Sequence, residues 1–114
     1  MWGRETLIAL TLWVQVATGT PQMHCIAQRE SNFDVNAISS AGAVGVVQWL
    51  PSTHGWLAQL FRKRADAQHP VWGLLAGEIV LGNPVHDLIL AAWAIEQGYG
   101  RHWATWEMCG EDES

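Results

Sequence analysis

Glu30 is the residue whose position most clearly suggests chemistry. It follows Met23, Ile26 and Ala27 at the i, i+3, i+4, i+7 spacing of one helix face, where a further hydrophobic residue is expected. A carboxyl group withdrawn from water either binds a partner or becomes harder to ionise. In the first case Glu30 is a structural residue. In the second it has the property of a general acid, which donates a proton to a leaving group.

Three ordered motifs surround Glu30. They read IAQRESNFD over residues 26–34, followed by Asn36-Ala37, then SSAGAVGVVQ over 39–48 and LPST over 50–53. They resemble the ES-x-F-N/D-x-x-A, S-x-x-GA-x-GLMQ and MPST motifs of the soluble lytic transglycosylases and their goose-type lysozyme relatives, the SLT domain family. The resemblance is nearly continuous from Ile26 to Thr53, about a quarter of the chain.

The resemblance implies a mainly α, lysozyme-like single domain with a short irregular or β segment after the catalytic helix. It implies that Glu30 is the acid and then the base that cleaves peptidoglycan between N-acetylmuramic acid and N-acetylglucosamine, closing a 1,6-anhydro ring. Ser39 matches the family serine near the muramyl acetamido group, and Gln48 matches a glutamine of the cleft. From the residues alone, Ser39 could instead cap a turn and Gln48 could satisfy buried backbone groups.

The C-terminal part departs from the family pattern. The family's A-Y-N-A-G-x-G motif aligns with residues 94–100, where Ile95 replaces a tyrosine near the catalytic glutamate and Glu96 replaces the asparagine. Tyr99, a candidate substrate-binding residue, or Trp93 could take the place of that tyrosine. The missing tyrosine also leaves open a glycan-binding lysozyme-like module without catalysis. A small helical interaction protein with an accidental motif match is the remaining alternative.

A second carboxylate would change the product. Two carboxylates that flank the glycosidic bond allow hydrolysis, as in a hydrolytic lysozyme. Glu96 and Asp34 are the candidates for this second role, although an Asx turn explains Asp34 more readily. Asp87 lies on the outer side of its helix stripe, so we expect it to be solvated.

Tryptophan, histidine and cysteine suggest further roles. Trp49, Trp103 and Trp106 are candidates for stacking on sugars, with a place in the core as the alternative. The five histidines show no ligand spacing, so we expect no metal and no other cofactor. Cys25 and Cys109, 84 residues apart, either form a disulfide or remain buried thiols.

Composition limits the class of protein. The 114 residues suit one domain, which we place at residues 1–109 with an acidic tail at 110–114, and we expect a monomer. With 49% hydrophobic and 15% charged residues, the chain is not intrinsically disordered. The net charge of −5, with a single short basic cluster at 62–64, argues against a nucleic-acid partner.

The apolar run over residues 7–17 raises the question of a membrane or targeting segment. It spans about 11 residues, whereas a transmembrane helix needs about 20. We expect a first helix of the domain, with a secretory signal as the alternative. The implied substrate lies outside the cytoplasm, in an extracellular or periplasmic wall. The chain would reach it by secretion, by cell lysis or within a larger particle such as a phage.

Helical periodicity accounts for most of the chain. We expect a first helix that ends near Gly19, a second from Thr20-Pro21 to about Ser31, and irregular structure over 32–43. A strand or extended run follows over 44–50. A third helix from Pro51 has an inward face of Trp56, Leu57, Leu60 and Phe61. The remaining helices are expected at 72–81 (poorly defined), along the stripe 85–93, and around 102–106.

Overall fold

Helices make up most of the computed structural model, which describes residues 2–103 and 105–111. The mainly α architecture expected from the sequence is confirmed. Residues 112–114 of the predicted acidic tail lie outside the described residues. The described elements are α1 (Arg4–Thr18), α2 (Met23–Ser31), α3 (Pro51–Arg64), α4 (Pro84–Glu96) and α5 (Trp106–Glu111), with 3₁₀ turns at Trp72–Leu75 and Gly100–His102.

α4 is the central helix of the fold. All eight residues from Asp87 to Ala94 are buried, and α1 and α3 pack against it. Asn83 caps the start of the helix: its side chain accepts hydrogen bonds from the backbone N–H groups of Val85 (3.0 Å) and His86 (3.2 Å). A helix that is apolar on nearly all sides belongs at the centre of a core, and the predicted stripe over 85–93 is found here.

α1 contacts both α2 and α4. Its buried residues are Leu7, Thr11 and Val14, and it ends at Gly19, whose φ of 67° is the left-handed conformation that favours glycine. The helix predicted over the apolar run is therefore present and contributes to the core. Within the described ranges, we find no helix with the length and hydropathy needed to cross a membrane.

α2 starts later than its sequence signal. Thr20-Pro21 was expected to begin the helix, but the hydroxyl of Thr20 pairs with that of Thr18 at 2.8 Å, and helical structure begins at Met23. At the other end the chain turns sharply, because Asn32 and Phe33 both adopt left-handed conformations, with φ of 52° and 60°. The helix therefore ends at Ser31, directly after Glu30.

The segment after α2 folds into turns that are closed by isolated bridges. Val44 pairs with Ile38 on one side and with Trp49 on the other. The backbone N–H and C=O groups of Val44 and Trp49 exchange two hydrogen bonds of 2.9 Å. The run predicted over 44–50 is thus a tight closed turn.

Three predicted helices differ from the structure. α3 turns His54, Leu57, Ala58 and Phe61 inward, so Trp56 remains 44% exposed and is not an inward residue. The helix predicted over 72–81 is only the 3₁₀ turn Trp72–Leu75, in keeping with the low helix propensity of the glycines within it and after it. The last helix lies at Trp106–Glu111 instead of 102–106.

Candidate active site

A cavity of about 270 Å³ opens at the carboxyl end of α2. Distant parts of the chain meet there: the end of α2, the turns that follow it, the start of α3, and the chain around Gly100–His102. The cavity brings together five of the residues that the sequence suggested for the site: Glu30, Ser39, Gln48, Trp49 and Trp103. The lining residues are Glu30, Ser39, Ala41, Ala43, Gln48, Trp49, Leu50, Thr53, His102 and Trp103.

Glu30 is half-buried and faces the cavity. The residues that precede it on the same helix face, Met23, Ile26 and Ala27, are fully buried, as the spacing predicts. The Oγ1 hydroxyl of Thr105 donates a hydrogen bond of 3.1 Å to Oε2 of Glu30. The carboxyl group thus lies at the edge of the core, held on one side and open to the cavity on the other.

Ser31 connects the end of α2 to the turns that line the cavity. Its hydroxyl donates to the carbonyl oxygen of Val46 at 2.7 Å and also lies 3.2 Å from the carbonyl oxygen of Ala27. The same hydroxyl accepts a hydrogen bond from the backbone N–H of Asp34 at 3.2 Å. The residue directly after Glu30 therefore joins the end of α2 to the turn that contains Val46.

Ser39 and Gln48 make the hydrogen bonds that are expected if Ser39 caps a turn and Gln48 satisfies backbone groups. The Ser39 hydroxyl accepts from the backbone N–H of Ala43 at 3.0 Å, as in a turn cap. The side-chain amide of Gln48 donates to the carbonyl oxygens of Ala37 (3.0 Å) and Gly45 (2.9 Å). Both residues also line the cavity, so the Ser39 hydroxyl proton and the Gln48 carbonyl oxygen remain available to a bound ligand.

Trp49 and Trp103 form a buried aromatic pair beneath the cavity. Their side chains are 1% and 4% exposed, and their ring centroids are 4.9 Å apart. The indole N–H of Trp49 donates to the Asp87 carbonyl oxygen at 3.0 Å, and that of Trp103 donates to the Val47 carbonyl oxygen at 2.8 Å. This pair therefore supports the cavity wall from within the core.

The other candidate residues lie apart from the cavity lining. Among the described residues, Glu96 is exposed at the end of α4, and Asp34 is exposed in a loop, where its carboxylate accepts from the backbone N–H of Asn36 at 2.9 Å. Tyr99 packs in a T-shaped contact against Trp56, at 5.2 Å between ring centroids. Trp106 packs over Gly100, where an added Cβ would lie 2.5 Å from its indole nitrogen.

Asp87 is fully buried, so the expectation that it is solvated is wrong. Its side chain points away from the surface because Gly82 donates its backbone N–H to both carboxylate oxygens, at 3.1 and 3.2 Å. His54 Nε2 lies 3.8 Å from Oδ1, too far for a hydrogen bond. Gly45 packs so closely that a Cβ there would lie 2.8 Å from Oδ2.

Burial acts on both members of this pair. It raises the pKa of Asp87 to about 7, against a smaller opposing effect of the Gly82 N–H. Burial also lowers the pKa of His54, with smaller contributions from His86 and Arg62. Each shift favours the uncharged form of its group, so burial disfavours a charged pair between His54 and Asp87.

Cys25 on α2 and Cys109 on α5 are joined by a disulfide, with 5.6 Å between their Cα atoms. The sequence left this pair open between a disulfide and free thiols. The bond ties the helix that carries Glu30 to α5, which begins directly after Thr105.

Sequence reasoning missed three residues at the site. Thr105 contacts Glu30, while Thr53 and His102 line the cavity. Thr53 belongs to the LPST motif, which offered a signal for it. Thr105 and His102 belong to no sequence motif. They lie at the site because of the course that the chain takes after α4.

The family model described as "Transglycosylase SLT domain" matches residues 19–107, most of the chain. No match was found among the curated proteins, and none among the solved structures.

Proposed function

The chain belongs to the transglycosylase SLT domain family, whose members generally cleave peptidoglycan, and from this premise we propose that Glu30 carries out that cleavage as a lytic transglycosylase. The observation that carries the proposal is the Glu30 carboxyl group facing a cavity that is also lined by Ser39 and Gln48. The substrate is the glycan strand of the cell wall, so the protein acts outside the cytoplasm.

In the first step, Glu30 acts as the acid. Its carboxyl proton passes to the glycosidic oxygen between N-acetylmuramic acid and N-acetylglucosamine, and the bond from the muramyl C1 to that oxygen breaks. The muramyl acetamido oxygen bonds to C1 as the leaving sugar departs. Ser39 and Gln48 line the same cavity, where the Ser39 O–H and the Gln48 side-chain carbonyl oxygen can hold the acetamido group.

In the second step, the Glu30 carboxylate acts as the base. It takes the proton of the muramyl 6-hydroxyl, whose oxygen bonds to C1 and displaces the acetamido oxygen, which closes the 1,6-anhydro ring. Glu30 is protonated again at the end, now with the proton of the 6-hydroxyl, and no water is consumed. One carboxyl group therefore suffices for the whole cycle.

Thr105 supports this role for Glu30 at a point where this chain lacks the tyrosine of the family pattern. Ile95 stands at the family's tyrosine position and packs against the core. The Thr105 hydroxyl, 3.1 Å from Glu30 Oε2, supplies a hydroxyl group to the carboxyl group from another part of the chain. We assign to Thr105 the positioning of Glu30 that the motif gives to tyrosine.

The placement of the other carboxylates favours the transglycosylase over a hydrolytic lysozyme. Hydrolysis with an activated water or a covalent intermediate needs a second carboxylate across the bond, within about 5 to 10 Å of the first. Among the described residues, neither Glu96 nor Asp34 lines the cavity, and the Asp34 carboxylate is engaged in an Asx turn.

The test is mass spectrometry of the products from purified peptidoglycan, incubated with wild type, Glu30→Gln, Glu96→Gln and the control Glu78→Gln. Glu78 is exposed and outside the cavity lining. We expect 1,6-anhydro products from wild type and both of the other variants, and none from Glu30→Gln. Reducing-end products that disappear in Glu96→Gln would mean a hydrolase. Binding of glycan by wild type without any product would mean a non-catalytic module.

A further inference from the structure

An aromatic cluster continues the cavity along one side. Trp56 on α3 makes T-shaped contacts with Tyr99 and His102, at 5.2 and 5.9 Å between ring centroids. Tyr99 and His102 lie 6.1 Å apart, so the three rings contact one another. We call Trp56, Tyr99 and His102 the aromatic cluster.

The aromatic cluster is continuous with the cavity through two connections. His102 belongs to both, because it lines the cavity and contacts the Trp56 ring. On α3, Thr53 lines the cavity and Trp56 follows three residues later, which places it on the same helix face one turn further on. A chain-like ligand that lies in the cavity would therefore meet Trp56 next.

Trp56 does not pack into the core with the other large side chains of α3, so core packing does not account for its position. The inward stripe of α3 consists of His54, Leu57, Ala58 and Phe61, and Trp56 lies outside it with 44% of its surface exposed. Tyr99 and His102 hold the indole without covering it. A large, fixed and half-open aromatic ring is the kind of surface on which the apolar face of a sugar stacks.

We propose that Trp56, fixed by Tyr99 and His102, is a stacking platform for a pyranose ring of the glycan strand beyond the sugar that Glu30 attacks. This inference rests on the proposed function, because the ligand is the same strand. The platform adds affinity for longer strands and takes no part in the bond cleavage itself. Trp56 is then a binding residue, and Glu30 alone carries the proton transfers.

The test measures the binding of N-acetylglucosamine dimers and hexamers to the inactive Glu30→Gln protein, with and without a second substitution. Calorimetry on the uncleaved ligands separates binding from catalysis. We expect Trp56→Ala to weaken hexamer binding by about tenfold, and Trp56→Phe by about threefold, with much smaller effects on the dimer. On peptidoglycan, Trp56→Ala in the otherwise wild-type protein should raise KM with little change in kcat.

Trp13 provides the matched control. It is 47% exposed on α1, which contributes no residue to the cavity lining among the described residues, and Trp13→Ala should leave hexamer binding unchanged. Near-ultraviolet circular dichroism checks that each variant is folded. If Trp56→Ala and Trp56→Phe bind the hexamer as tightly as Trp13→Ala does, the platform is wrong while the proposed function stands. If the dimer loses as much affinity as the hexamer, Trp56 is not a distal platform. If no variant binds the hexamer, the platform is wrong, and the proposed function is judged separately by the peptidoglycan products.

Discussion

Glu30 and Asp87 are both carboxyl groups on helices, but their surroundings differ in nearly every respect. Glu30 is half-buried, faces a cavity and accepts a hydrogen bond from the Thr105 hydroxyl. Asp87 is fully buried behind the cavity wall, where it contacts Gly82 and His54, and burial raises its pKa to about 7. A carboxyl group that holds a proton near neutral pH is thus not by itself a catalytic acid. It also needs space for a substrate beside it.

The largest expected effect separates the two residues by activity. Glu30→Gln should lower peptidoglycan cleavage by about 10³-fold, because it removes both the proton donor and the base. Asp87→Asn should retain at least about a tenth of the wild-type rate, because Asp87 touches the cavity wall only from behind. Release of soluble muropeptides measures both. If both variants lost the same amount of cleavage activity, the contrast between a catalytic Glu30 and a structural Asp87 would be wrong.

The disulfide provides the next test. It joins α2, which carries Glu30, to α5, and it does not involve α4, which carries Asp87. Closing a loop of 84 residues contributes about 4 to 5 kcal/mol in the chain-entropy model. Reduction should therefore lower the melting temperature by roughly 10 °C or more. Hydrogen exchange in the reduced protein should rise first in α2 and α5, while α4 stays protected. An unchanged melting curve under reducing conditions would indicate that the two thiols are free in solution.

The pH dependence of stability tests the burial of Asp87. Its folded pKa of about 7 lies above the unfolded value of 3.8, so its contribution to stability is complete below pH 3.8 and is lost as the pH rises through 7. Between pH 5 and pH 8 this loss amounts to about 2 to 3 kcal/mol in wild type, and it is absent in Asp87→Asn. Urea denaturation at pH 5, 6.5 and 8 should show the variant gaining stability relative to wild type as the pH rises.

His54 also titrates, but it is present in both wild type and Asp87→Asn, so its effect cancels when the stabilities of the two proteins are compared. Its lowered pKa acts in the opposite direction and removes stability as the pH falls below 6.5. Parallel stability curves for wild type and Asp87→Asn would show that Asp87 is ionised throughout the range.

The smallest effect concerns the link between α2 and the cavity wall. Ser31→Ala removes the 2.7 Å hydrogen bond to Val46 and leaves that carbonyl oxygen without its hydroxyl donor, at a cost of about 1 to 2 kcal/mol. Ser40→Ala, an exposed serine in the following loop, is the control and should change stability little. Thermal unfolding compares the two. Equal midpoints would mean that Ser31 does not hold Glu30 in place.

Much of the fold follows from periodicity. The end of α1 next to Gly19 was predicted from that glycine, and the end of α2 at Ser31 from the loss of apolar spacing after it. The stripe of α4 was predicted from its apolar spacing. Trp56 and Asp87 were assigned to the wrong side of their helices. In both cases the side that faces the core depends on which neighbouring helix covers it, and a single-helix pattern does not contain that information.

The site was predictable in part. Glu30, Ser39 and Gln48 lie within 19 residues of one another in motifs that the family preserves, so their proximity in the cavity could be expected. Thr105 and His102 come from the far end of the chain and have no motif of their own. Their place beside Glu30 depends on how the chain leaves α4 and on the bond from Cys25 to Cys109, both of which are tertiary features.

The closed turn from Val44 to Trp49 has a consequence for the entropy of binding. Its ends exchange two hydrogen bonds, and both Gln48 amide contacts are made to its own backbone or to Ala37, so the wall keeps its shape without a ligand. Each side chain that has to be ordered on binding costs about 0.5 to 1.5 kcal/mol. A glycan strand that enters this cavity meets a preorganised surface, and more of its contact energy remains available to bind and distort the sugar.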